Sequence, residues 1–326
     1  MIDAIIKAKY QLAEGVCGLD LIAADGQPLV AFSAGAHIDI QLPSGLVRQY
    51  SLVNPAGPEQ HSCDSYQIAV LKDPASRGGS IEVHEQLQAG QAIKISEPRN
   101  LFALAANAPH AVLVAGGIGI TPILAMAREL SATSGSFEVH YAARSATTAA
   151  YTDEFMTGEL ATHSQCYFND QQQQLDMDSV LKAAPAGSHL YVCGPAGFID
   201  YVLEAGRQQQ WASERLHREF FAAPVSSTDN NTNNDGEDKA FEILIQSTGQ
   251  IIQVGADESA LEALEDAGID INSSCESGIC GSCVTRLIDG TPDHRDSFLN
   301  DEEKASNACF TPCCSRALGP RLVLDC

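Results

Sequence analysis

Positive charge is scarce in this chain. Its 326 residues carry 19 Lys and Arg against 42 Asp and Glu, a formal net charge of −23. Such a surface repels nucleic-acid phosphates and anionic headgroups, which argues against nucleic acid and membrane partners and leaves a basic partner protein open. Long uninterrupted apolar runs are missing as well. The best candidate, AVLVAGGIGITPILAMA from Ala111, is broken by glycines and Pro122 and is shorter than a spanning helix. It reads instead as a buried strand, a glycine turn and a helix start. The opening MIDAIIKAKYQLAEG has no apolar stretch followed by a small-residue cleavage site, so export is not expected and a cytoplasmic location is. No repeat of fixed period occurs. Cysteine, in contrast, is plentiful: eleven in a chain without an export signal point to metal or redox chemistry before a disulfide framework.

The length suits two or three domains. The clearest boundary is PVSSTDNNTNNDGEDK, Pro224 to Lys239, whose near-total lack of apolar residues cannot offset the entropy of ordering, so 224–239 reads as a tether. Residues 1–105 show short alternating segments, HIDIQL, RQYSLV, YQIAVLK and AIKISEP, separated by turn residues, which predicts a small antiparallel β-barrel or sandwich. From about residue 106 to 223 the rhythm changes to strand, turn, helix, in HAVLVAGGIGITPILAMAREL, FEVHYAA and HLYVCGPAGFIDYVLEAG. That alternation predicts a parallel sheet with helices on both faces. In residues 240–326, FEILIQSTGQIIQV predicts a hairpin around STGQ and DESALEALEDAG a short helix with a capped, acidic start.

The cysteine loop follows at once. CESGICGSC places Cys275, Cys280 and Cys283 in the spacing C-x4-C-x2-C among glycines and serines. A single cysteine most often just fills space. Three in a glycine-rich loop do not, because glycine permits the positive φ and close backbone approach needed to wrap a compact ion cluster. Structural zinc sites pair their cysteines in two separate knuckles, whereas this arrangement is three plus one, the ligand spacing recorded for plant-type [2Fe–2S] clusters. The fourth ligand comes from CFTPCCSRA, where Cys309, Cys313 and Cys314 compete, and neighbours in an extended segment point to opposite sides.

Two turns upstream could receive a nucleotide. Gly116, Gly117 and Gly119 in AGGIGITP follow an apolar strand and precede a helix with Thr121 as its expected N-cap and Pro122 at the first position. This is not the GxGxxG fingerprint, but glycines there let a phosphate or ring lie against the backbone and the free helix N–H groups. Cys193, Gly194 and Pro195 form a second such turn, and the two could flank one crevice. In the first domain RQYS places Arg48 and Tyr50 on one face of a strand beside Ser51, a guanidinium for a phosphate, a ring for stacking and a hydroxyl for a ring nitrogen. Read singly, these are an ordinary surface arginine and core tyrosine. SRGGS, Ser76 to Ser80, offers further backbone amides before the helical SIEVHEQL.

With RQYSL, RGGS, GGIGITP, CGP and CESGICGSC in this order, the chain resembles, over nearly its whole length, the phthalate dioxygenase reductase family, which includes vanillate demethylase reductases. The segment DHRDSFLNDEEKASN and the closing CCSRALGPRLVLDC also look like the family's ferredoxin terminus. The resemblance implies an FMN-binding barrel, an NADH-binding α/β domain and a β-grasp ferredoxin domain. It assigns Arg48, Tyr50, Ser51, Lys72, Gly78, Gly79 and Ser80 to the flavin, with Thr121 and Phe221 close by, and Gly116, Gly117, Gly119, Cys193, Gly194 and Pro195 to the nicotinamide. Family members read C-V-S-R or C-C-S-R at the last ligand, which implies Cys275, Cys280, Cys283 and Cys313 as the iron ligands.

Electron counting then implies a route from NADH through FMN to the cluster and on to a Rieske-type terminal oxygenase, because a flavin can accept two electrons at once and release them singly. Hydride transfer needs no side-chain acid or base, so no catalytic residue is expected. The rival readings are a reductase with the same cofactors serving another acceptor, and a non-enzymatic iron–sulfur module that would leave RQYS and AGGIGITP without a purpose.

Overall fold

The computed structural model describes residues 1–55, 60–74, 76, 78–221, 238–273 and 275–326, and the chain forms two compact units, Met1–Phe221 and Ala222–Cys326. Most of the expected tether, residues 224–237, and Arg77 of SRGGS lie outside the described residues.

The first unit begins with a long antiparallel hairpin of Ile2–Ala13 and Val16–Ala23. No alternation announces it, because irregularities at Ile6/Ala8 and Gln11/Ala13 break the two-residue period of the first strand. The strands run in the order Val47–Ser51, Ala36–Gln41, Ala92–Ile95, Ile2–Ala13, Val16–Ala23, Tyr66–Leu71, each pair antiparallel. A bridge between Leu52 and Ile68 joins the first strand of this order to the last, so the sheet closes as a barrel. Ile6, Leu19, Leu21, Ile38, Ile40, Tyr66 and Ile68 fill it and are fully buried, each contributing about 1.5–3 kcal/mol of apolar burial.

The α/β part carries a parallel sheet in the order Ser164–Phe168, Phe137–Ala143, Ala111–Gly116, His189–Cys193, Leu216–Glu219. Ile123 and Leu124 of the helix Ile120–Ala132 pack on one face, and Leu181 with Ile199 and Val202, from the helices Met177–Ala183 and Ala196–Gln208, on the other. The chain starts at the central strand, moves outward twice, then returns to the other side. The turnover point therefore lies between Ala111–Gly116 and His189–Cys193, where open α/β sheets bind ligands at the strand ends. Barrel and sheet are braced together: Glu129 accepts from Ala34 N at 2.6 Å, Arg128 donates to the Val53 carbonyl at 2.7 Å, and the Tyr191 hydroxyl accepts from Ala105 N at 2.8 Å.

The second unit is a mixed sheet in the order Ile251–Val254, Phe241–Ile245, Arg321–Leu324, Thr285–Asp289, Cys309–Phe310. Its first two strands form the expected hairpin, while Phe241–Ile245 pairs parallel with the C-terminal strand. The helix Ala260–Asp266 covers the sheet through Ala260, Ala263 and Leu264, a β-grasp arrangement. Ser259 and Glu262 cap that helix reciprocally, as the sequence predicts. No described helix is long and apolar enough to cross a membrane.

One local expectation is corrected. The helix after AGGIG starts at Ile120, with Gly119 and not Thr121 before it. A 3-10 turn over Gly117–Gly119 runs straight into it, and Gly119 already has helical angles (φ −60°, ψ −3°), so no extended N-cap forms. Thr121 is buried and donates to the Ile118 carbonyl at 3.1 Å, and Pro122 sits where the helix has no N–H partner to lose.

Candidate functional site

In the second unit the cysteine loop has no regular structure and is held from outside. Gly278 (φ +70°) and Gly281 (φ +73°) turn the backbone in a region costly for other residues. Neither has room for a side chain: a Cβ on Gly278 would sit 2.5 Å from Cys314 Sγ, and one on Gly281 would overlap the Phe298 ring. The sulfurs fall into two pairs. Cys283 and Cys313 approach to 3.3 Å. Cys280 is drawn down to about 5 by its contact with Cys275, whose own thiol is pushed up by the same contact. Ser282 N donates to Cys280 Sγ at 3.4 Å, and Cys280 Sγ lies 3.3 Å from Ser282 Oγ. Cys314 also touches Cys313, and lies against Gly278 and 3.4 Å from Thr311 Oγ1. Cys309 lies on the last strand of the sheet, its thiol pushed up mainly by burial.

Two sulfur pairs suit two metal ions sharing a cluster, each taking two thiolates. Among the described residues no three His, Cys, Asp or Glu side chains converge as they would on one ion. The donor set thus fits a two-iron cluster.

In the first unit, Arg48, Tyr50 and Ser51 pair with Ile40, Ile38 and His37 along one barrel strand. The Arg48 side chain lies across Gly79, whose Cβ would be 2.6 Å from Arg48 Nε, so the bare glycine is what lets the guanidinium reach the start of the helix Gly79–Glu85. Gly78 precedes it with φ +94°. Ser80 Oγ accepts from Asp73 N at 3.1 Å and its amide donates to Ser76 Oγ at 3.3 Å. Lys72 is exposed and paired with Glu85 at 2.9 Å. Burial pushes the Tyr50 hydroxyl up, keeping it neutral.

The two glycine turns of the α/β sheet touch. A Cβ on Gly119 would lie 2.6 Å from Gly194 N and closer still to the Cys193 carbonyl, and one on Gly194 3.0 Å from Gly116 Cα. Pro195 begins the helix Ala196–Gln208, its carbonyl accepting from Phe198 N and Ile199 N at 2.9 and 3.0 Å. Cys193 is fully buried, which pushes its thiol well up. Phe221, 42% exposed, closes the described part of this unit.

Glu219 is the residue that sequence reasoning missed. It lies beside Cys193 in the parallel register, and its carboxylate accepts from Ser51 Oγ at 3.4 Å, linking the barrel strand of RQYS to the glycine crevice. Its only signal was its place in REFF. Burial pushes its carboxyl up to about 8, against the bond from Ser51. Because the folded chain holds this proton more tightly than the unfolded one, stability should be full below about pH 4.5 and fall as pH rises towards 8. Glu219→Gln should flatten that decline, by about 2–3 kcal/mol at pH 8 after allowing for partial solvent access. Trp211, the single tryptophan, reports it: urea midpoints by fluorescence at pH 5 and pH 8 should differ less in the variant.

A barrel joined to a turnover-point α/β sheet, followed by a β-grasp unit with paired thiols, defines an electron-transfer oxidoreductase. Comparison with known proteins agrees. The 2Fe-2S iron-sulfur cluster binding domain family matches residues 243–318, and the N-terminal domain family of dimethylamine monooxygenase subunit DmmA-like proteins matches residues 91–216. The vanillate O-demethylase oxidoreductase of Pseudomonas sp. (strain HR199 / DSM 7063) is 50% identical over 327 residues, covering all of both chains. A phthalate dioxygenase reductase structure, described as modular for electron transfer from pyridine nucleotides to [2Fe-2S], superposes with TM-score 0.70 at 36% identity over 100% of this chain and 98% of its own. An intact type IV self-sufficient cytochrome P450 monooxygenase matches with TM-score 0.85 at 35% identity, the whole chain corresponding to 41% of that longer polypeptide. The chain belongs to the family of oxygenase-system reductases that contains the vanillate O-demethylase oxidoreductases.

Proposed function

We propose that this protein takes electrons from NADH through FMN and a [2Fe–2S] cluster to a separate Rieske-type oxygenase. The observation that carries the reading is the pairing of four thiols, Cys275 with Cys280 and Cys283 with Cys313, in a chain whose other unit brings Ser51, Glu219 and Cys193 together. Bound FMN would supply the conversion of a two-electron hydride into single electrons. The chain's own residues would do the placing. Arg48, with the amides of Gly78, Gly79 and Ser80 and the Lys72 ammonium, would hold the flavin phosphate, and Tyr50 would lie along the flavin. The Ser51 hydroxyl would address its ring nitrogen, and Thr121 and Phe221 would border it. Gly116, Gly117, Gly119, Cys193, Gly194 and Pro195 would border the nicotinamide ring, with the Phe198 ring packed against Gly116 and Gly194. Glu219 would keep Ser51 oriented.

Residues 1–105, 106–223 and 240–326 would be the flavin, nucleotide and ferredoxin domains, with 224–239 as the tether. The cytoplasm is the compartment in which eleven unpaired thiols stay reduced. A second reading, delivery to a haem oxygenase, is favoured by the P450 chain that contains a unit of this fold.

Anaerobic titration with NADH tests the reading. Flavin and cluster absorption should both bleach; a purified chain that binds no flavin after reconstitution would defeat it. Arg48→Ala should weaken flavin binding by about 10- to 100-fold, the worth of one charge-assisted contact. Unchanged flavin affinity would remove Arg48 from the site. Reduction of a purified Rieske oxygenase compared with a haem oxygenase separates the two acceptors.

A further inference from the structure

The helix Gly79–Glu85 adjoins the cradle proposed for the flavin phosphate, yet little within the helix holds it still. Seven residues are too few for a helix to persist alone, and Gly78 before it offers no capping side chain. Val83 and Leu87 are fully buried in the barrel core, but apolar burial is non-directional and leaves the helix able to slide or roll. Direction has to come from polar contacts, and these reach the helix from three sides. Lys9 Nζ, on the strand Ile2–Ala13, donates to the Val83, His84 and Leu87 carbonyls at 2.9, 2.7 and 2.8 Å, closing the C-terminal end. His84 Nε2 meets the Val70 carbonyl at 2.8 Å. At the other end Glu82, 5% exposed, accepts from Ser44 N at 2.8 Å and from Ser44 Oγ at 2.5 Å.

The place of Ser44 gives the Glu82 clasp a use. Ser44 lies in the turn between Ala36–Gln41 and Val47–Ser51, which Leu42 N closes onto the Leu46 carbonyl at 2.8 Å, and Arg48 follows on the second of these strands. Glu82 stands in the first turn of the helix that Gly79 begins, and the Arg48 side chain lies across Gly79. The clasp therefore joins the same two segments that meet at Arg48 and Gly79. A buried carboxylate bonded to an amide and a hydroxyl makes charge-assisted contacts, stronger and more directional than neutral ones. Turned onto Ser44, it is also held by donors where a free carboxylate would repel a phosphate.

We infer that Glu82 and Lys9 are positioning residues for the flavin phosphate. Glu82 sets the first turn of the helix against the strand of Arg48, Lys9 fixes the far end, and together they keep Arg48 and the amides of Gly78, Gly79 and Ser80 aimed at one point. Neither side chain touches the phosphate; each acts through the helix it holds. The inference rests on the flavin assignment proposed above and deepens it: selectivity for the phosphorylated flavin would depend on two residues that no phosphate-binding motif contains.

FMN and riboflavin differ only in the phosphate, so the ratio of their dissociation constants for the flavin-free full chain separates the phosphate contact from the ring pocket and from the fold. The wild type should hold FMN far more tightly than riboflavin. Glu82→Ala should weaken FMN binding about tenfold, the worth of about one charge-assisted hydrogen bond, and leave riboflavin binding where it was. Glu82→Gln, whose amide oxygen still accepts from Ser44 N, should keep most of the ratio. Lys9→Met should lower the ratio as Glu82→Ala does, and it decides alone if Glu82→Ala does not fold. An unchanged ratio, an equal weakening of both flavins, or a loss in Glu82→Gln as large as in Glu82→Ala overturns the inference. So does a wild type that binds the two flavins equally well. A wild type that binds neither flavin overturns the flavin assignment itself, a distinct outcome.

Discussion

Cys313→Ser should strip the chain of its cluster absorption, while Cys314→Ser, one residue on, should keep it. The two thiols are sequence neighbours that touch each other but differ in their further partners. Cys313 Sγ faces Cys283 Sγ at 3.3 Å, whereas Cys314 Sγ lies against Gly278 and within 3.4 Å of Thr311 Oγ1. Removing a facing thiolate leaves one iron with a single protein sulfur, and the cluster's contribution to the fold goes with it. Removing Cys314 costs a packed sulfur and a weak hydrogen bond, about 1 kcal/mol. NADH-dependent flavin reduction should persist in both variants, because the residues proposed to hold the flavin and nucleotide all lie in the other unit. Iron content and visible spectra of the two serine variants decide it: equal loss would mean that Cys314 shares the ligation.

Gly119→Ala should disable the other end of the path. The methyl group would meet the Cys193 carbonyl and Gly194 N, backbone atoms fixed by the parallel pairing of Ala111–Gly116 with His189–Cys193. The turns must part by an ångström or more, and misplacement on that scale costs about 10²-fold in a transfer that depends on orientation. Overpacking adds about 1–3 kcal/mol of instability. Gly117→Ala is the control. Its position has open space around it but φ +56°, so only left-handed strain of about 1–2 kcal/mol is expected. Stopped-flow flavin reduction by NADH should fall far more in Gly119→Ala than in Gly117→Ala, with flavin content kept in both. Equal rates in the two variants would show that the crevice is not where the nicotinamide enters.

Three strands of the parallel sheet and the hairpin and helix of the β-grasp unit were legible because their apolar periods are clean: FEVHYAA and HLYVC form strands over the residues that the pattern marks, while short strands such as Ser164–Phe168 and Thr285–Asp289 were not read. The Ile2–Ala13 strand was not, since its bulges scramble the alternation that a reader of sequence relies on. Thr121 looked like a cap because threonine before proline usually is one; the 3-10 turn ahead of it decided otherwise.

By itself the sequence determined the chemistry on offer: a C-x4-C-x2-C loop, two glycine turns, an RQYS strand and their order along the chain. These are local signals, written within a few residues of one another. Tertiary structure decided which distant groups meet. Cys283 finds Cys313 across 30 residues, and Ser51 finds Glu219 across 168. Such pairings follow from strand register and sheet order, which depend on how whole segments bury their apolar faces together, and no short stretch of sequence carries that information.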